Sequence, residues 1–183
     1  MEKRIKAPIG KETAGALRAG DSVLISGVIY TARDAAHERM TRLFHEGEPF
    51  PIDLRDQIIY YAGPCPAKPG EVIGSCGPTT AGRMDAYTPE LLDNGLGAMI
   101  GKGARSEAVI EAIKRNGCVY FGAIGGAGAL IAECIKKAEV VAYDDLGTEA
   151  VRRLEVEDFP AVVLIDSLGG DLYSAGQSRY RKI

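Results

Sequence analysis

The apolar positions of this chain follow two different periods that alternate along its length. Residues 21–31 are rich in β-branched side chains and predict a strand, whereas residues 33–44 carry apolar side chains three to four positions apart and predict a helix. Because such segments interleave without a repeat or a long linker, we expect one α/β domain over residues 1–183, with a mixed sheet. The same patterns predict strands at 57–63, 71–77, 97–103 (with a turn) and 118–124, two or three more between 138 and 167, and helices at 11–18, 88–95, 105–115 and 126–137.

Composition and charge remove several classes of function. Hydrophobic residues make up 46% of the 183 residues, so the chain can bury a core and is not globally disordered. The formal net charge is −3 and tryptophan is absent, which argues against a nucleic-acid-binding protein with a basic face and stacking aromatic residues. No apolar run approaches the roughly 20 residues that cross a bilayer. The first residues lack a hydrophobic signal segment, so we expect a cytoplasmic protein without a membrane partner.

The four cysteines do not form a recognisable metal-binding pattern. Cys65, Cys76, Cys118 and Cys134 contain no pair at the C-x-x-C spacing of a zinc or redox site, and their intervals match no cluster-binding run. In a cytoplasmic chain they are expected to remain separate thiols. We therefore predict that this chain holds no metal, and that any iron–sulfur centre used in its function lies elsewhere.

The glycine-rich segment GSCGPTTAGRMD, residues 74–85, is the strongest candidate for an anion site. Its glycines predict open backbone N–H groups, and a short helix starting near Thr79 would direct its positive end toward a bound anion. Thr79 and Thr80 add hydroxyl donors, and Arg83 can hold a carboxylate through two hydrogen bonds. The same segment is also compatible with a glycine-rich turn capped by threonine, in which Arg83 is merely solvated.

Two further segments place candidate cations at the ends of predicted strands. In TARDAAH, residues 31–37, Arg33 and His37 are four positions apart and share one face of a helix that starts there. The alternative for this segment is a capped helix start with a surface histidine. In MIGKG, residues 99–103, Lys102 lies between two glycines after an apolar strand, where it directs an ammonium group into a pocket or forms an ordinary turn.

The segment FGAIGGAGAL, residues 121–130, lies between a strand and a helix, which is the context of a dinucleotide-binding loop. Its glycines do not match G-x-G-x-x-G, because the last required position is Ile131, and no acidic residue clearly follows at the expected place. Close packing of a helix on a strand explains these glycines better. A nucleotide-binding domain is therefore the weakest of the functional hypotheses.

Arg33, Arg83 and Lys102 each lie where a predicted strand passes into a turn, in a chain that is otherwise slightly acidic. Three cations that converge with hydroxyl groups match a small substrate that carries two carboxylates. Charge matching by itself does not name a reaction.

The chain resembles the β subunit, equivalent to the C-terminal domain, of the iron–sulfur hydro-lyases, which comprise class I fumarase and L(+)-tartrate dehydratase. The resemblance runs through nearly the whole chain and implies a swivelling β/β/α domain that closes over a cluster-bearing α subunit. In that family the [4Fe–4S] cluster is held by the partner and binds the substrate. The matching segments are SGVIYTARDAAHERM (26–40), IYYAGPCPAKPGEVIGSCGPTTAGRMD (59–85), MIGKG (99–103) and VEDFPAVVLIDSLGGDLY (156–173).

The resemblance also implies roles for individual residues. The implied protein is a fumarate hydratase β subunit that interconverts fumarate and (S)-malate only together with its α partner, in a hetero-oligomer that can also contain a dimer of this chain. The alternatives are an L(+)-tartrate dehydratase β subunit, which converts tartrate to oxaloacetate, and a non-catalytic module that binds dicarboxylates. The implied site consists of Arg33, Arg83 and Lys102 at the substrate carboxylates, Thr79 and Thr80 in proton transfer, and His37 in the active site.

Overall fold

The computed structural model describes residues 2–182, which form a mixed sheet with helices packed on it. Its strands are β1 (Lys3–Ala7), β2 (Ser22–Thr31), β3 (Ile58–Tyr60), β4 (Ala98–Gly101), β5 (Val119–Gly122), β6 (Ile135–Ala142) and β7 (Val151–Ile165). The helices are α1 (Lys11–Gly15), α2 (Asp34–His45), α3 (Thr88–Asp93), α4 (Glu107–Asn116), α5 (Gly128–Glu133) and α6 (Leu172–Tyr180), with 3₁₀ segments at Ala81–Met84 and Asp144–Glu149. None of these described helices has the length and apolar character needed to cross a bilayer.

The sheet closes on itself like a barrel. Its order is β1-β2-β3-β4-β5-β7-β6, and an additional antiparallel pairing between β2 and β7 joins β2, β3, β4, β5 and β7 into a ring. Strands β2 to β5 run parallel to one another, as expected when each is followed by a helical connection. Strands β1 and β6 extend this ring at β2 and β7. The prediction of an α/β fold with a mixed sheet is confirmed.

The strands bury both of their faces, which divides the core in two. On β3, Ile58 and Tyr60 belong to the cluster inside the ring, whereas Ile59 belongs to the cluster between the sheet and the helices. Successive side chains of a strand point to opposite faces, so one short apolar run serves both clusters. The outer cluster includes Met40 of α2 and Val109 of α4, whose apolar faces were visible in the sequence.

The predicted strand at 71–77 is wrong, because this segment is a loop that folds back on the preceding residues. The Cys65 N–H donates to the Ser75 carbonyl at 2.9 Å, and the Gly74 N–H donates to the Cys65 carbonyl at 3.2 Å. A Cβ atom at Gly74 would lie 2.6 Å from the carbonyl oxygens of Cys65 and Pro66. The segment therefore forms a tight loop, and only a glycine at position 74 allows that close approach.

The tail forms β6 and one long strand, β7, which continues through Pro160. Between the stretch of β7 that pairs with β6 and the stretch that pairs with β5, residues 159–161 pair with β2 alone. A proline N atom costs no ladder hydrogen bond on the free side of a strand, which explains why Pro160 does not end β7.

Other element boundaries differ by smaller amounts. Helix α4 ends at Asn116 because Gly117 adopts a left-handed conformation with φ of 66°. Thr88 is the first residue of α3 rather than its N-cap, and its hydroxyl donates to the Met84 carbonyl at 2.8 Å. Helix α5 is shorter than the predicted segment 126–137, because β6 begins at Ile135.

Candidate functional site

The predicted site residues lie where the parallel strands end. Arg33 lies two residues after the end of β2, and Lys102 is the first residue after β4. The carboxyl ends of parallel strands meet at one edge of a sheet, which is where ligands bind in open α/β proteins. The segment that carries Thr79 and Thr80 leaves β3 and returns to the same edge, where Thr80 forms a parallel bridge with Lys102. Residues far apart in the chain are thus brought to one edge of the sheet.

One carboxylate joins two of the predicted cations. The Nε of Arg33 lies 3.0 Å from Oδ2 of Asp34, and the Nε of Arg83 lies 2.7 Å from Oδ1 of the same side chain. The two arginines come from different elements, since Arg33 precedes α2 and Arg83 lies in the 3₁₀ segment Ala81–Met84. Their guanidinium groups therefore lie on either side of a single carboxylate. The Arg83 side chain remains 52% exposed, so most of its hydrogen-bonding edge faces solvent.

Glu149 completes the surroundings of Arg33. Its Oε1 lies 3.5 Å from Nη2 of Arg33, and its Oε2 accepts a hydrogen bond from the Ala35 N–H at 2.8 Å. This second contact satisfies one of the free N–H groups at the start of α2. The Nη1 side of Arg33 lies against Gly63, where a Cβ atom would be 3.0 Å from Nη1. Gly63 therefore leaves the room that the Arg33 side chain occupies.

The threonine pair and Lys102 are tied together through the backbone. The Lys102 N–H donates to the Thr79 carbonyl at 3.3 Å, and the Ala81 N–H donates to the Lys102 carbonyl at 2.8 Å. Thr79 is half-buried, whereas Thr80 and Lys102 are exposed. The Nζ of Lys102 would lie 3.6 Å from a Cβ atom at Gly125, so the lysine side chain leans over the glycine-rich loop after β5.

The backbone of the segment 74–85 corrects the predicted anion cradle. Its helical turn starts at Ala81 instead of near Thr79, and it is only a four-residue 3₁₀ segment. The Thr79 N–H donates to the Tyr61 carbonyl at 2.7 Å, and the Gly74 N–H donates to the Cys65 carbonyl. These N–H groups are therefore not open to an anion. The side chains of Thr80 and Arg83 in this segment are exposed.

Two of the glycines in segment 121–130 serve packing, as the sequence favoured. A Cβ atom at Gly122 would lie 2.6 Å from Cδ1 of Leu164, and one at Gly128 would lie 2.9 Å from the backbone nitrogen of Gly77. Both positions are close approaches between neighbouring segments. The structure of this segment gives no support to the hypothesis of a dinucleotide-binding loop.

His37 differs from the other predicted site residues because it is completely buried. Its Nδ1 is 3.0 Å from the Arg33 carbonyl, which can only accept, so the neutral ring carries its proton on Nδ1. The ring packs edge-on against Tyr61, with centroids 5.3 Å apart. Within residues 2–182 its Nε2 has no hydrogen-bond partner. The alternative of a surface histidine is wrong, and a direct role of His37 toward a substrate stays a prediction.

We expect His37 to destabilise the fold as the pH falls from about 7 to about 4. Burial, together with the nearby Arg105 cation, lowers the pKa of His37 from 6.5 to about 4. The unfolded chain therefore binds a proton at this residue in a range where the folded chain does not. The free energy of unfolding decreases as the pH falls through that range, by roughly 3 kcal/mol for this group. Urea unfolding at a series of pH values measures this slope.

The variant His37→Gln should lose most of that slope, whatever its stability at pH 7, because glutamine does not titrate. His45→Gln is the matched control, because the His45 side chain is 66% exposed and the variant should keep the slope. If the unchanged protein and His37→Gln depend equally on pH, the buried neutral histidine is refuted.

A buried cation lies beneath the site. The Arg105 side chain is 0% exposed, and its Nε and Nη2 donate to Asp85 Oδ1 and Thr88 Oγ1, each at 2.7 Å. Its guanidinium carbon lies 5.3 Å from the ring centroid of Tyr61 and 4.9 Å from that of Tyr120. Among the described residues its Nη1 has no partner. Arg105 therefore links the loop after β4 to the segment between the 3₁₀ turn and α3.

The cysteines do not suit a cluster. Burial raises the pKa of the Cys76 and Cys118 thiols to about 12, whereas cluster ligands are thiolates. In the described part of the chain, no three His, Cys, Asp or Glu side chains are grouped so that they could hold a metal ion. A [4Fe–4S] cluster thus does not fit these residues.

Three of the six predicted site residues, Thr80, Arg83 and Lys102, are exposed. A cavity of about 560 Å³ lies between the loop 65–75 and α5, and none of the six predicted site residues lines it. Binding pockets usually enclose most of a small ligand. An exposed group of cations needs a second surface over it to exclude water.

Sequence reasoning missed three residues of this arrangement. In the sequence, Asp34 gives only the signal of a favourable charge at a helix start, next to Arg33. Glu149 and Arg105 gave no local signal, since their partners are remote in the chain. Their contacts exist only because the strands place these segments side by side.

Comparisons with known proteins agree with this picture. A family model described as fumarase C-terminus matches residues 2–176. Fumarate hydratase 2 of Leishmania major is 42% identical over 175 residues, which cover 93% of this chain and 31% of that protein. The aerobic class I fumarate hydratase of Salmonella typhimurium is 45% identical over 157 residues, which cover 84% of this chain and 27% of that protein.

A third relative has a similar length. The putative L(+)-tartrate dehydratase subunit beta of Methanocaldococcus jannaschii is 38% identical over 169 residues, which cover 89% of this chain and 87% of that protein. The chain therefore spans less than a third of the two fumarate hydratases but most of this subunit.

Proposed function

Because this chain belongs to the fumarase C-terminus family, a family of hydro-lyase parts, we propose that it binds the substrate of a fumarate hydratase together with a cluster-bearing α partner. The reaction is the reversible hydration of fumarate to (S)-malate. In this proposal the present chain contributes the groups that bind the substrate carboxylates and help to transfer a proton.

The observation that carries the proposal is that Arg33 and Arg83 share one carboxylate at an edge of the sheet that the backbone of Lys102 also reaches. Arg33 and Arg83 share Asp34, and Lys102 is bonded through its backbone to the segment that leads to Arg83. A dicarboxylate with two negative charges requires such a group of cations. An arginine end can bind a carboxylate in two parallel hydrogen bonds, whereas the lysine provides a compact point charge.

The same cations favour the reaction as well as binding. Removing the proton next to a carboxylate builds negative charge on that carboxylate, in a state that resembles an aci-carboxylate. Fixed cations lower the barrier when they interact more strongly with this state than with the bound substrate. Arg33 and Arg83 meet this condition because ion pairs hold their side chains in place before the substrate arrives.

Proton transfer is assigned to the threonine segment. Thr79 lies beside the backbone of Lys102, and the exposed Thr80 follows it. A neutral hydroxyl is a weak base, so Thr79 needs the neighbouring cations or a carboxylate of the partner to act. His37 supports the site from below, because its Nδ1–H donates to the carbonyl of Arg33 and so restrains the residue that carries the cation.

The iron–sulfur cluster is placed on the α partner in this proposal. The four thiols of this chain do not fit a cluster, and the open cation surface leaves one side of the substrate for another protein. Closure of the present domain over that partner would exclude water from the site. The roles described above use only the side chains of this chain.

One observation favours tartrate as the substrate instead. The relative that this chain covers almost end to end is named a tartrate dehydratase subunit, whereas the fumarate hydratases are about three times longer. Tartrate is also a dicarboxylate, so the same three cations would bind it. Its additional hydroxyl group would be recognised by residues of the site or by the partner.

The decisive experiment is an anaerobic assay of the complex between this chain and its cluster-bearing partner. We expect (S)-malate to be converted to fumarate, which is followed by ultraviolet absorbance. Turnover of L(+)-tartrate to oxaloacetate without turnover of malate would replace the fumarate assignment by the tartrate one. Binding of malate without turnover of either substrate would support a non-catalytic dicarboxylate module, and neither binding nor turnover would refute the proposal.

A further inference from the structure

The contacts of Asp34 differ from those of an ordinary residue at a helix start. An acidic residue there stabilises the helix whatever the function of the protein. This carboxylate instead has one oxygen on each of two arginines that come from separate segments. At the exposed pair of Asp93 with Arg115, by contrast, both carboxylate oxygens bind one guanidinium group.

Both arginines meet Asp34 through Nε, that is, through the side of the guanidinium group. This geometry leaves Nη1 and Nη2 of Arg83 for another carboxylate, since Asp34 is its ion-pair partner among the described residues. Without a negative charge between them, two neighbouring guanidinium groups repel each other. Their separation thus depends on the carboxylate that lies between them.

We propose that Asp34 is a positioning residue, which holds Arg33 and Arg83 at the separation required to bind the carboxylates of one substrate. Its kinetic consequences rest on the proposed function, whereas its effect on the arginines does not. Asp34 does not act on the substrate itself, because a carboxylate in two ion pairs is a weak base.

The state of the carboxylate agrees with this role. Partial burial by itself would raise the pKa of Asp34, but its backbone hydrogen bond and the guanidinium groups of Arg33 and Arg83 hold the pKa below its ordinary value. Asp34 is therefore charged at the pH of any ordinary activity assay. Glu149 adds a second contact to Arg33 but none to Arg83, so it does not replace the bridge.

The kinetic test compares Asp34→Asn with the unchanged chain in the reconstituted complex. Asparagine keeps the shape but offers one acceptor oxygen and no charge, so only one arginine remains held. We expect kcat for malate to fall roughly 10- to 100-fold, because small misplacements of catalytic groups have effects of this size. KM should change less than about threefold, because two effects oppose each other. Removing the negative charge of Asp34 favours binding of a dianionic substrate, whereas the less ordered arginines bind it less well. Asp34→Glu, which retains the charge, should recover part of kcat.

Asp93→Asn is the matched control. Asp93 also accepts hydrogen bonds from an arginine, but that pair lies at the end of α4 away from the site, so kcat and KM should stay unchanged. A kcat of Asp34→Asn within twofold of the unchanged enzyme, or a rise of KM at constant kcat, overturns the positioning role. An increase of kcat/KM also overturns it, since it would show that Asp34 competes with the substrate.

A second readout does not depend on turnover. In the full chain labelled with ¹⁵N-arginine, the Nε–H signals of Arg33 and Arg83 report the contacts with Asp34 directly. We expect both signals to shift in Asp34→Asn without any ligand, and the response of Arg83 to succinate to weaken. If the complex turns over no substrate but these shifts occur, the proposed function fails and the positioning by Asp34 stands. Unchanged Nε–H signals in Asp34→Asn refute the bridge itself.

Discussion

The variant Arg83→Lys is expected to lower kcat/KM for malate roughly 100- to 1000-fold, the loss seen when one donor to a developing negative charge is removed. Lysine keeps the positive charge but cannot form two parallel hydrogen bonds to a carboxylate. It also lacks the Nε that contacts Asp34, so the group next to the substrate is held less well. The measurement is steady-state kinetics of the complex with its cluster-bearing partner, under anaerobic conditions.

The fold should tolerate this change, because the Arg83 side chain is 52% exposed. Arg115→Lys is a suitable control, since Arg115 is 50% exposed, pairs with Asp93 and lies at the end of α4 that points away from the site. Its kcat/KM should match that of the unchanged enzyme. Near-normal activity of Arg83→Lys, at equal cluster content, would remove Arg83 from the substrate site.

The variant Arg105→Met is expected to reduce the free energy of unfolding by about 3–5 kcal/mol, the cost of removing one partner from a buried ion pair. Methionine fills part of the space between Tyr61 and Tyr120 but removes the hydrogen bond that Arg105 donates to the Thr88 hydroxyl. Asp85 keeps the Ser106 N–H, at 2.6 Å, but loses the guanidinium group. Urea unfolding followed by circular dichroism measures the change.

Arg115→Met is the matched comparison, because it removes an arginine from an exposed pair with Asp93. Exposed pairs contribute about 0–1 kcal/mol, so this variant should unfold close to the unchanged protein. Equal stability losses in the two variants would contradict the structural role of Arg105. If Arg105→Met does not fold, Arg105→Lys provides the second measurement, and it should lie between the two.

The cations of this site are balanced by acidic residues before any substrate is bound. Asp34 and Glu149 lie beside Arg33, and Asp34 also lies beside Arg83. These carboxylates reduce the repulsion among the cations and restrict their motion. In the proposed function, such groups already in place would lower the entropy lost when a dicarboxylate binds.

Most of the secondary structure could be predicted from local patterns. Helix α2 and the strand before it show different periods, and Gly117 ends α4 by a backbone conformation that glycine adopts easily. The predictions failed where contacts remote in sequence decide the conformation. The β-branched residues of 71–77 form a loop because the chain folds back on Cys65, and Pro160 stays within β7 because one side of that strand is free.

The sequence by itself determined the α/β architecture and the family, and it predicted three cations as site residues, because periodicity and short motifs are properties of neighbouring residues. Only the tertiary structure decided that Arg33 and Arg83 share Asp34, that Glu149 reaches the start of α2 from 114 positions away, and that His37 is buried and neutral. The physical reason is the parallel arrangement of β2 to β5. It brings the ends of separate segments to one edge, where charges interact over distances that no local pattern encodes.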